Sequence, residues 1–162
     1  MAWEENVGPI FQEGYQIDRD EQSVMMTQIA ETIWQDIFAH KVTFSGSFDH
    51  NSQAESVPQF LLSLVKMLIN GSDITNQTPN TNLSQPLLSI AQLLVYNRIK
   101  RCRDSVKIPD VYHSKDHETP LPVYVGLKAH ALTRDRKLID SLYTLGMSAS
   151  YNRTMDFNHI IG

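Results

Sequence analysis

A chain of 162 residues that is 41% hydrophobic and 20% charged is long enough to bury a core and too apolar to stay disordered throughout. Its one cysteine, Cys102, excludes an internal disulfide, and no apolar run approaches the roughly 18 residues of a membrane span. The net charge of −4 hides an asymmetry: residues 1–36 carry eight Asp/Glu against Arg19 alone, whereas residues 96–140 carry ten Lys/Arg against six Asp/Glu. The start MAWEENVGPIF has neither the basic nor the apolar region of a signal peptide, so the expected setting is intracellular, nucleus or cytoplasm. The sequons at Asn70, Asn76, Asn82 and Asn152 are then chance matches.

Residues 1–20, punctuated by Gly8-Pro9 and Gly14 and without a sustained period, read as a mobile acidic arm with Trp3, Phe11 and Tyr15 as docking points. Residues 21–162 read as one helical domain. From Glu21 to His40, Met25, Met26, Ile29, Ala30, Ile33, Trp34, Ile37 and Phe38 recur at helical spacing and predict the first helix. The Ser- and Asn-rich stretch 41–56 predicts a loop, and Pro58 and Gly71 bracket a second helix whose interior, FLLSLVKMLI, suits the centre of a bundle or a partner-binding surface. After the polar loop 72–84, Ser84 is the expected cap of a third helix, with Leu87, Leu88, Ala91, Leu94, Val95 and Ile99 inward and the basic run RIKRCR at its end.

Residues 104–122 read as a loop closed by Thr119-Pro120-Leu121-Pro122. Val123–Leu132 alternates like a strand, but its Ala-rich end favours a helix. Thr133 is the expected cap of the next helix, with Leu138, Ile139, Leu142 and Leu145 inward and Gly146 in the left-handed C-terminal conformation. Ser148 or Ser150 then starts a last helix through Tyr151, Met155 and Ile160. The fold expected is mainly α: an irregular helical bundle with long polar loops and a C-terminal helical hairpin. Trp34, Ile37, Leu61, Leu64, Leu68, Leu94, Leu138 and Leu142 are its expected buried positions.

The hairpin LIDSLYTLGMSASYNRTMDF resembles a helix-turn-helix, with a Gly in the turn and a Ser before the second helix, but Leu142 stands where a small residue is expected. In that reading Arg134, Arg136, Lys137 and Arg153 neutralise phosphates, and Ser150 or Asn152 reaches base edges. Arg98, Lys100, Arg101 and Arg103, with Lys107, add a second basic candidate, which equally suits a solvated helix end. Cys102, His113 and His117 have half the ligand spacing of a zinc site and lack a second cysteine, so no metal is expected. No glycine-rich phosphate loop occurs, and Ser114, Asp116 and Glu118 beside His113 and His117 read as a polar loop rather than as a nucleophile with its base. The expectation is therefore no enzymatic activity, cofactor, small-molecule ligand or membrane partner. The expected partners are protein, through an apolar helix face, or nucleic acid.

The segments ETPLPVYVGL (118–127), TRDRK (133–137) and LGMSASYNR (145–153) resemble a family of long, uncharacterised proteins of cnidarians, molluscs, other marine invertebrates and fish, related to mobile elements. In that family the chain runs on past the equivalent of Gly162, so the resemblance implies a fragment truncated at its C-terminus. It supplies no catalytic residues. A truncated end in turn implies that Met155, Phe157 and Ile160 are unusually exposed.

Overall fold

The computed structural model describes residues 8–71, 83–98 and 117–161, with side chains from Arg19 to His159. Seven helices lie among the described residues: α1 (Gly8–Ala39), α2 (His50–Glu55), α3 (Gln59–Asn70), α4 (Gln85–Tyr96), α5 (Pro120–Thr133), α6 (Arg136–Thr144) and α7 (Tyr151–Ile161). The fold is mainly α. The chain divides into two compact units, Met1–Asp36 and Ile37–Gly162.

In the first unit, helical geometry extends back to Gly8, through much of the segment read as an acidic arm. Ile33 is buried and Trp34 half-buried, whereas Val24, Met25 and Met26 are exposed. A helix whose apolar residues occur on more than one side cannot cover them all with a single contact stripe.

The second unit is built round α4, which packs against α2, α3 and α5. Leu87, Leu88, Ala91, Gln92, Val95 and Tyr96 face inward at spacings of three and four, so Ile90 and Leu94 fall on the far side and are exposed. Leu94 is thus a correction to the expected core. Leu68 and Leu138 are two more: burial on α3 covers Leu61, Leu62 and Val65 and stops before its last turn, and on α6 the inward position is Ile139, so its neighbour Leu138 turns outward. Leu64, Trp34 and Leu142 are half-buried; Ile37 and Leu61 are buried as expected. Leu145, at the C-cap of α6, is also exposed rather than inward.

The Ser-rich stretch 41–56 is more structured than its composition suggests. Asp49 caps α2, its carboxylate accepting from the Ser52 amide at 2.8 Å and from the Ser47 and Ser52 hydroxyls. These bonds, that from Ser47 foremost, hold its pKa at about 2, below the ordinary 3.8. Phe44 packs edge-on against Phe157 at 5.2 Å, and Phe48 stacks on Tyr124 at 4.0 Å. Phe157, expected to be exposed, is 7% exposed, in a cluster with Val123 and Ala149.

The segment 123–132 is helical, and α5 starts at Pro120, before the loop end expected at Pro122. Two of its first three residues are prolines, which have no amide proton to satisfy, and the Leu121 amide between them donates to Gln92 Oε1 at 2.9 Å. Gly126 lets α7 approach: a Cβ there would collide with the buried Thr154 hydroxyl. Leu88→Ala should cost about 2–5 kcal/mol, whereas Leu94→Ala should stay within about 0.5 kcal/mol. Urea denaturation of the two variants checks this, and equal losses would contradict the placement of α4.

Candidate functional site

The basic residues singled out in the sequence separate into three groups. Lys100, Arg101, Arg103 and Lys107, with Cys102 and His113, lie outside the described residues. Arg98 and Arg153 hold the fold together. Arg134, Arg136 and Lys137 are exposed where α5 meets α6.

Arg98 NH2 donates to His117 Nδ1 at 2.7 Å, and the guanidinium lies over the Phe38 ring at 5.6 Å. Arginine only donates, so Nδ1 is the acceptor and the proton is on Nε2, which donates to the Ile37 carbonyl at 3.1 Å. That carbonyl belongs to the last turn of α1, where no intrahelical donor reaches it. His117 is 5% exposed and pairs with Val42 in an isolated parallel bridge, through Glu118 N to Val42 O. A buried histidine with both ring nitrogens engaged in this way is a structural joint.

Arg153 makes a two-pronged ion pair with Glu118, Nε to Oε1 at 2.6 Å and NH2 to Oε2 at 2.8 Å, and lies over Phe157 at 4.4 Å. The Glu118 side chain is only 8% exposed. This ties the start of α7 to the segment preceding α5, in the second unit.

The α6–α7 hairpin has the turn that its sequence predicts. Met147 N bonds to Leu142 O and Gly146 N to Tyr143 O, both at 2.9 Å, with Gly146 at φ 71°. This is the Schellman pattern, which satisfies the last carbonyls of α6. Asn97 Nδ2 donates to Gly146 O at 2.7 Å, and its side chain fills the space that a Cβ on Gly146 would need, so α4 clamps this turn. Tyr96 donates to Ser148 O at 3.1 Å from a buried position; desolvation, then Tyr143 and Glu118, push its phenol pKa well above the ordinary value. Ser150 starts α7, its hydroxyl accepting from the Arg153 amide at 3.3 Å. Of the two residues expected to reach bases, Ser150 is therefore engaged in capping, while Asn152 is exposed. The other exposed described side chains of α7 are Asp156, Asn158 and His159, none of them Lys or Arg.

At the α5–α6 corner, Asp135 caps α6 through the Lys137 and Leu138 amides at 2.8 and 3.4 Å, in place of the expected Thr133. Thr133 instead ends α5, its hydroxyl donating to Ala129 O and accepting from the Asp135 amide. Arg136 reaches Asp140 at 3.4 Å and lies over the Tyr151 ring at 5.1 Å. Lys128, Leu132, Arg134 and Lys137 are exposed around them.

The first unit offers a different surface. Asp20, Glu21, Val24, Met25 and Gln28 line an open groove on α1, with Val24 and Met25 57% and 61% exposed. Among the described residues, no group of three His, Cys, Asp or Glu is placed to hold a metal ion, and no helix is long and apolar enough to cross a membrane. No known protein family, curated protein or solved structure matches the chain.

Composition gave no sign of the Glu118–Arg153 pair, because its partners are 35 residues apart. Arg153→Ala should lower stability by about 1–3 kcal/mol by stranding a shielded carboxylate, whereas Lys137→Ala should change it by less than about 0.5 kcal/mol. Chemical denaturation distinguishes the two; equal effects would remove Arg153 from the framework.

Proposed function

We propose that this chain is a helical interaction and support region without catalytic activity of its own, and that it engages protein partners through apolar helix faces. The observation that carries this reading is α1, where Val24, Met25 and Met26 are 57%, 61% and 71% exposed. Methionines on such a surface adapt to differently shaped partners, and an amphipathic helix laid along them buries area on both sides. The motifs in residues 118–153 support placing the chain among mobile-element-related proteins, acting in the nucleus or cytoplasm.

A second reading, nucleic-acid binding, is favoured by the clustering of exposed Arg134, Arg136 and Lys137. Two features weigh against the helix-turn-helix version of it: Arg153 is committed to Glu118, and Asp156 is the charged residue on the exposed side of α7.

Selection of a displayed peptide library on the full chain tests the first reading. It should return amphipathic helical peptides that compete with one another and that no longer bind a Val24→Ser/Met25→Ser/Met26→Ser variant of unchanged thermal midpoint. The opposite result is no enrichment over scrambled sequences together with duplex DNA or RNA binding whose affinity falls steeply with salt. That result would replace the interaction module with the nucleic-acid module.

A further inference from the structure

The groove on α1 combines an apolar floor, Val24 and Met25, with two exposed carboxylates, Asp20 and Glu21. A partner that covers such a floor must bring apolar side chains flanked by cations, because burying the floor against another acidic or neutral surface leaves the carboxylates uncompensated. The α5–α6 corner has that chemistry. Leu132 is 72% and Leu138 38% exposed, set among the exposed cations Lys128, Arg134, Arg136 and Lys137; of the two exposed carboxylates there, Asp140 is paired with Arg136 and Asp135 caps α6.

The corner also breaks a local rule of helix termination. Arg134 occupies the left-handed region at φ 52°, its amide bonded to His130 O at 2.9 Å, and is the only non-glycine residue with positive φ among those described. A glycine or asparagine holds that conformation at lower cost, as Gly146 does at the end of α6. An arginine kept there turns a helix-ending position into an exposed cation.

We infer that the α1 groove of one copy docks on the α5–α6 corner of a second copy, giving head-to-tail self-association. Val24 and Met25 of one chain cover Leu132 and Leu138 of the next, with Asp20 and Glu21 facing Arg134 and Lys137. The contact joins two different patches, so it is heterologous and can extend into a ring or an open chain. This rests on the protein-interaction reading and names its partner as a second copy of the chain.

Sedimentation velocity on the full chain tests it. The average mass should rise with concentration and fall with added salt. Asp20→Lys/Glu21→Lys, and separately Arg134→Glu/Lys137→Glu, should each weaken association at least about tenfold. Mixing these two charge-reversed proteins should restore a complex, because the basic α1 of the first meets the acidic corner of the second. Arg134→Gly should raise the thermal midpoint while weakening association, a split that a purely structural role for Arg134 would not give. A wild-type chain that is monomeric at all concentrations, or association indifferent to both reversals, or a mixture that does not recover, each overturns the inference. If peptides selected on α1 still bind in any of these cases, the interaction reading survives with another partner.

Discussion

The second unit depends on one fully buried amide, Gln92. Its Oε1 accepts from the Leu121 amide at 2.9 Å, and its Nε2 donates to Gln53 Oε1 at 3.1 Å and to Leu88 O at 3.2 Å. Its own main-chain carbonyl accepts from the Thr119 hydroxyl at 3.2 Å. Gln53 in turn accepts from Gln85 Nε2 at 2.7 Å and donates to Phe48 O at 3.2 Å. Gln92 and Gln53 together thus fix α2, the Phe48 loop and the proline-bounded start of α5 against α4. Buried amides this fully bonded specify a geometry, because shifting any one helix leaves a donor or acceptor dry and unpaired.

The same economy governs the charged residues. Arg98 and Arg153 are drawn into joints with His117 and Glu118, where guanidinium geometry matches a ring nitrogen and a carboxylate. Asn97 and Gly146 lock the turn between α6 and α7. The exposed surface of the described residues includes Val24 to Met26 on α1, Leu68 and Ile69 at the end of α3, Ile90 and Leu94 on the back of α4, and the cations at the α5–α6 corner.

Much of the helical architecture was legible from local signals. Apolar spacing marked α1, α3, α4 and α6; proline and glycine marked the ends of α3; and the Gly146 turn followed from the left-handed preference of glycine. What was not legible depended on distant partners. Which of Leu94 and Gln92 faces inward is decided by Gln53 and Leu121, far away in the sequence, so a hydrophobicity rule chose the leucine and the structure chose the amide. Leu68 and Leu138 went astray because an apolar run on a short helix is wider than the stripe its neighbours cover. At the candidate site, the exposure of Arg134, Arg136 and Lys137 was readable from charge clustering, whereas the role of Arg153 required knowing that Glu118 lies beside it.

If Gln92 sets the arrangement of α2, α4 and α5, the unfolding free energy of a Gln92→Met protein is the most direct measure of it. Methionine keeps the volume and removes the amide, stranding the Leu121 N–H and one of the bonds to Gln53. The expected result is a loss of at least about 2 kcal/mol, in spite of the more apolar side chain. A variant as stable as the wild type, or more stable, would show that packing alone holds these helices and that the buried amide network is incidental.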